Sequence, residues 1–278
     1  MKKKEPKRKV LFGLFVFPLL IALTMVILLG SIVFLTHEED TPESMITAIK
    51  TGSPSKRWQK AFELSNELNT NPELIRSEGL RNEMIHILKE SSHYDGKTRG
   101  FIAMALRHFN HPNVIEVLTL SLKDPVEDVQ IYSLWSLGHL KSYESTPQIL
   151  PLLQNESPDI RKMAVYVLGV LKNQSNRSHI RPLLSDDVLD VRWNAALSLA
   201  QLGNDDGIEI LLSMLNRTQL ENEYELDEQT IEIAMVNAIK GLSHISSAKK
   251  YDIVSQLSLN DPNLKVREAA IKYLAKDK

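Results

Sequence analysis

The stretches DPVEDVQIYSLWSLGHL (124–140), SPDIRKMAVYVLGVL (157–171) and DDVLDVRWNAALSLAQLG (186–203) are one phrase written three times. Gln130, Arg161 and Arg192 hold the same place in it, 31 residues apart each time. A period in this range marks a helix–turn–helix unit, copied so that each copy buries its neighbour's apolar face. The phrase therefore predicts an all-α fold, an α-solenoid. Looser copies extend it outward: SPSKRWQKAFELSNEL around Arg57, YDGKTRGFIAMALRHF around Arg99, TIEIAMVNAIKGL around Glu232 and DPNLKVREAAIKYLAK around Arg267. That makes about seven helix pairs. Segments such as PNVIEVLTLSL from Pro112 and GIEILLSMLN from Gly207 supply first helices, and Pro125, Pro158 and Pro262 open or shape the turns into the second.

The 278 residues are 43% hydrophobic and 24% charged, an ordinary globular composition with length enough for a sizeable core. The charge is uneven. Residues 1–36 carry +5, which leaves residues 37–278 at −7 of the total −2. An acidic repeat region argues against nucleic acid as partner, because phosphate neutralisation supplies most of that affinity. The absence of cysteine excludes disulfides, thiolate metal sites and cysteine nucleophiles.

From Val10 to Leu35 the chain runs 26 residues without a charge, more than the roughly 20 a bilayer crossing needs. No small-residue cleavage site ends the run, so it is expected to be an uncleaved transmembrane anchor rather than a signal peptide. The expected organisation is a basic cytoplasmic tail at 1–9, an anchor at 10–36, a linker at 37–42 and the solenoid at 43–278. Six basic residues before the run and none just after it place the N-terminus inside. The solenoid is then expected across a bacterial cytoplasmic (inner) membrane, in the periplasm. Thr41 followed by Pro42 reads as the cap and first position of the first solenoid helix.

The pattern D-x-x-x-V-R-x-x-A-A-x-x-L over 187–199 (Asp187, Val191, Arg192, Ala195, Ala196, Leu199) resembles HEAT repeats of the short kind found in phycobilisome-lyase-like proteins. The resemblance covers roughly residues 43–276. It is specific for architecture and nearly silent on function. It implies that turn aspartates and helix arginines form a ladder between repeats, which assigns a structural role to Arg161, Asp187, Arg192, Asp261 and Arg267. Gln130 and Glu232 stand where two units would have the arginine. The resemblance also implies that second helices line the concave side of the solenoid.

Taking the Arg position as zero and about 100° per residue, Val191, Ala195, Ala196, Leu199 and Leu202 cluster on one side, the core side. Offsets +1 and +5 fall nearly opposite. They carry Trp58, Ile131 and Trp193 at +1, and Phe62, Trp135, Tyr166 and Leu197 at +5, with Lys162, Asn237 and Lys272 interspersed. Two readings account for this stripe: a groove that grips a partner protein, since Trp and Tyr are favoured interface anchors, or side-by-side packing of the second helices. A second candidate surface is the insertion TQLENEYELDEQ, with Glu221, Glu223, Glu225, Asp227 and Glu228, expected to form a loop outside the core.

Catalytic signatures are missing from the sequence. The one His-Glu pair is His37-Glu38, and the other histidines lack an H-E-x-x-H arrangement. No G-x-S-x-G, P-loop or dinucleotide run occurs. The expectation is a scaffold or assembly factor, not an enzyme, that binds another protein of a membrane or envelope complex and needs no cofactor, metal or small-molecule substrate. The alternative carried by the resemblance is an accessory enzyme or subunit acting on a chromophore or metal cofactor.

Overall fold

The computed structural model describes residues 16–36, 41–71, 73, 77–245 and 249–276. The expected basic tail, residues 10–15 of the expected anchor and most of the linker lie outside the described residues. The chain divides into two compact units, residues 1–44 and 45–278.

The first unit contains α1, Phe17–Thr36, on which Phe17, Leu19, Met25, Val26 and Leu28 are exposed. Here the expected transmembrane anchor is corrected. Among the described residues no helix is long and apolar enough to cross a membrane. The expectation rested on the length of the uncharged run from Val10 to Leu35. The inner-membrane location and the periplasmic placement of the solenoid rested on the anchor and fall with it.

The second unit is all-α and built of helix pairs. After α2 (Pro42–Thr51), of which Met45–Thr51 belong to this unit, and α3 (Pro54–Thr70), they are α4 (Glu78–Lys89) with α5 (Gly96–Leu106), and α6 (Pro112–Leu120) with α7 (Glu127–His139). Next come α8 (Thr146–Ile149) with α9 (Pro158–Val170), and α10 (Arg177–Ile180) with α11 (Leu189–Gln201). After α12 (Ile208–Ser213), an extra helix α13 (Arg217–Asn222) precedes α14 (Glu228–Leu242), and α15 (Lys249–Asn260) pairs with α16 (Leu264–Lys276). Second helices pack on one another in chain order: α3, α5, α7, α9, α11, α14, α16. Helix starts are capped by side chains, at Thr41 as expected and also at Asp95 and Asp227. Thr41 accepts from the Ser44 amide at 3.2 Å, Asp95 from Thr98 at 2.9 Å and Asp227 from Thr230 at 2.8 Å.

Close approach of the second helices depends on small residues. Ser136 donates to the Ala103 carbonyl at 2.8 Å and Ser198 to the Val165 carbonyl at 3.0 Å, the same contact two repeats apart. A Cβ on Gly169 would lie 2.6 Å from the Ser198 hydroxyl, so only glycine lets α11 come this near α9. The buried apolar residues form two clusters, Met45 to Leu202 and Trp193 to Tyr273, which meet at α11.

The turns inside the pairs are built alike. Asp124, Asn155, Asp186 and Asp261 each accept, through Oδ1, the amide two residues on, at 2.9 Å. The Arg position ties down the same turn. Arg161 donates to the carbonyls of Asn155 and Glu156, Arg192 to those of Asp186 and Asp187, and Arg267 to those of Asp261 and Pro262. Gln130 keeps this function, donating to the Asp124 carbonyl at 2.6 Å.

Some arginines also bridge to the next repeat. Arg99 grips Asp124, and Arg161 grips Asp186 through two bonds of 2.8 and 2.9 Å. This corrects the assignment of Asp187. The ladder carboxylate is Asp186, because the turn residue points its side chain inward, whereas Asp187 is exposed and offers Arg192 only its backbone. Where Gln130 replaces the arginine, the facing turn residue is the neutral Asn155. Where Glu232 replaces it, the insertion supplies the cation: Arg217 binds Asp261 bidentately at 3.2 and 2.8 Å and Glu228 at 2.6 Å.

The hydrogen bonds from Arg161 hold the Asp186 carboxyl below its ordinary range. Its contribution to stability is therefore present above the ordinary carboxylate range and is lost as acid titrates it through the lowered value. Replacing one partner of a largely buried charged pair strands the other. Asp186→Asn is expected to cost about 2 kcal/mol in urea unfolding at neutral pH, and Asp187→Asn less than about 0.5 kcal/mol.

Candidate partner-binding face

Three consecutive second helices, α3, α5 and α7, present aromatic side chains that touch across the helix boundaries. Phe62 is 42% exposed and meets Phe101 edge-on at 5.2 Å between centroids. Trp58, partly buried, lies 6.3 Å from the same ring, and Phe101 stacks on Tyr132 at 5.7 Å. Trp135 follows one turn after Tyr132 on α7, partly buried, with His139 at 6.3 Å. Contacts of this kind are worth about 0.5–1.5 kcal/mol each beyond area burial. The band is thus braced by its own members while each ring keeps surface in solvent.

Phe101 and Tyr132 were missed by the offset reasoning. They stand at +2, one repeat apart, in units where +1 is Gly100 or Ile131. Gly100 admits the neighbouring ring: a Cβ there would lie 2.9 Å from Tyr132 Cδ2. Two large aromatics at equal spacing was the signal that could have found them.

Two cations frame the band. The Lys97 ammonium sits 3.5 Å from the centre of the Trp58 ring, and the Arg107 guanidinium 4.5 Å from that of Trp135. Arg107 is partly buried, donating to the Met104 carbonyl at 2.8 Å and to Ser65 at 3.3 Å, and burial lowers its pKa from the ordinary arginine value. Beside it, burial first, then the Arg107 charge and His139, push the His108 imidazole down to about 4.

The remaining stripe residues are dispersed. Ile131 packs against the first core cluster. Tyr166, 38% exposed, and Leu197 line a shallow depression of about 180 Å³ with Asn194, Gln201 and Asn237. Lys272 borders a groove of about 480 Å³ between α14 and α16, with Ile233, Val236 and Ala269. Lys162 is bound by Asp159 at 2.7 Å.

Trp193 is only 8% exposed, because the insertion covers it. Tyr224 meets the indole edge-on at 6.3 Å, and Leu220 is fully buried in the second core cluster. The insertion expected to be an outer loop is therefore a short helix and a turn that join the core, with Glu225 at positive φ closing the turn. Its acidic side chains alternate with apolar ones, so counting charge alone hid Leu220, Tyr224 and Leu226. Among the described residues no group of three or more His, Cys, Asp or Glu side chains is gathered to hold a metal ion.

Residues 146–222 match the family model of HEAT repeats. The fold is similar to that of CpcE and CpcF of phycocyanin lyase from Nostoc sp. PCC7120, at TM-score 0.58 and 17% identity over 87% of this chain and 96% of that one. An archaeal HEAT-like repeats protein from Thermococcus onnurineus NA1 aligns at TM-score 0.44 and 17% identity, over 85% of this chain and 97% of its own. Human deoxyhypusine hydroxylase aligns at TM-score 0.36 and 15% identity, over 89% and 98%. Comparison with curated proteins finds no match. The solenoid is a HEAT-like repeat fold, and at these identities the likeness shows architecture alone.

Burial predicts that Trp193→Ala costs about 3–5 kcal/mol in chemical denaturation, while Phe62→Ala costs under about 1 kcal/mol. The lowered His108 value means that the unfolded chain takes up a proton that the folded chain resists between about pH 6.5 and 4. Stability falls as the pH falls through that window, and His108→Gln should flatten the fall when urea midpoints at pH 7 and pH 4.5 are compared.

Proposed function

We propose that this solenoid is a protein-interaction scaffold that holds a partner segment against the concave, second-helix face, at the band formed by Trp58, Phe62, Phe101, Tyr132 and Trp135. The observation that carries the reading is a contiguous band of large, partly exposed aromatics on three consecutive second helices, whereas farther along the same row Tyr166 stands apart and Trp193 is covered by the insertion. Aromatic anchors that are already braced lose little side-chain freedom on binding, which favours affinity. Scaffold and assembly functions both fit such a surface. The other reading, an accessory subunit acting on a chromophore or metal cofactor, draws on the name of the Nostoc complex and on no residue of this chain.

The test is site-specific photo-crosslinking in the source cells. With the crosslinker at Phe62 or Trp135, one and the same protein is expected to be captured, and with it at the exposed Glu116 of the first-helix row, not. Equal capture from all positions, or none at Phe62 and Trp135, would overturn the proposal.

A further inference from the structure

The cations of the second-helix face are not all alike. Lys162 is matched by Asp159 at 2.7 Å and Asp190 at 3.6 Å, Lys265 by Glu232 at 2.7 Å and Lys272 by Glu268 at 2.8 Å. Lys97 and Arg107 are the exceptions on the aromatic band: among the described residues neither has a carboxylate within 4.0 Å, and each rests on an indole instead. This occurs in a region, residues 37–278, whose net charge is −7 and which has acidic side chains in excess. Arg107 is also partly withdrawn from water, a placement that costs free energy when no anion compensates it. The buried Nε2 of His108, next to it, has no hydrogen-bond partner.

The two cations stand at opposite ends of α5, ten positions and therefore ~15 Å apart along its axis, with Phe101 between them. We infer that the band recognises an acidic protein segment, one whose carboxylates meet Lys97 and Arg107 while its apolar side chains fill the space between Phe62, Phe101 and Tyr132. This rests on the scaffold reading and specifies the partner's chemistry. Carboxylates ~15 Å apart correspond to about five residues of extended chain at ~3.3 Å each. Steering by the cations would also raise the association rate and make binding sensitive to salt. A single-stranded nucleic acid offers anions and stacking bases too, but the acidic surroundings repel a phosphate chain that continues beyond the two cations.

The test uses the full chain and fluorescein-labelled peptides with a common Phe-Leu-Phe centre flanked on both sides by glutamates, glutamines or lysines, read by fluorescence anisotropy. An oligothymidylate serves as the nucleic-acid probe. The glutamate peptide is expected to bind at least ~10-fold more tightly than the glutamine peptide and to weaken with added salt, and the lysine peptide not to bind. Lys97→Glu, at an exposed position that leaves folding intact, is expected to erase the preference, and Lys97→Glu with Arg107→Gln to shift it toward the lysine peptide. Circular dichroism verifies that each variant is folded. Equal binding of the glutamate and glutamine peptides, unaltered by Lys97→Glu, overturns the inference but leaves the scaffold reading standing. Preferential binding of the oligonucleotide overturns it in favour of nucleic acid. If no peptide binds, the inference fails, and crosslinking at Phe62 then decides separately whether the scaffold reading fails too.

Discussion

A guanidinium reaching from one repeat to the turn carboxylate of the next is the contact that sets this solenoid's geometry. Arg99 to Asp124 and Arg161 to Asp186 join residues 25 apart, and the carboxylate they share also closes the turn that starts the next second helix. One side chain therefore fixes turn conformation and repeat spacing together. Burial of both partners makes the pair sensitive to geometry, since a displaced partner leaves a charge without compensation. Small residues then permit what the ladder imposes: Gly169 and Ser198 allow second helices to approach until a serine hydroxyl reaches a neighbouring backbone carbonyl.

Two rungs replace the arginine, and both are resolved locally, while Arg192 keeps it but bonds only its own turn. Gln130 faces the neutral Asn155, so a missing cation meets a missing anion. At Glu232 the charge is reversed, and Arg217 enters from the insertion to hold Asp261, while Lys265 and Asn263 bind Glu232 itself. The insertion that repairs this rung also lays Tyr224 over Trp193. It therefore closes the aromatic row at Trp193, while the aromatics that touch one another across helices lie on α3, α5 and α7.

The repeat phrase made the all-α solenoid legible, since a recurring apolar side admits few other arrangements. It also placed Trp58, Phe62 and Trp135 on the solvent side of second helices. What it missed has physical causes. The choice between Asp186 and Asp187 depends on turn geometry, which adjacent identical residues do not reveal. The burial of Trp193 depends on an insertion 31 residues away, Trp193 to Tyr224, outside the repeat pattern. Phe101 and Tyr132 stand one residue past the +1 offset, and the missing Cβ at Gly100 leaves room for the Tyr132 ring. The reading of the uncharged N-terminal run as an anchor rested on its length and lack of charge, whereas among the described residues no helix is long and apolar enough to cross a membrane.

Function in this architecture is a matter of which faces stay open. The ladder and the core consume the Arg position and the apolar side, the insertion consumes Trp193, and α3, α5 and α7 keep a braced aromatic band between two cations without carboxylates among the described residues. The most direct measurement of whether that band grips is hydroxyl-radical footprinting of the chain, free and bound to the protein that crosslinks to it. Protection of Trp58, Phe62, Phe101 and Trp135, with Trp193 unchanged, is the predicted result. Protection confined to the opposite row, at the exposed Leu120 and Tyr143, with the band equally oxidised in both states, would contradict it.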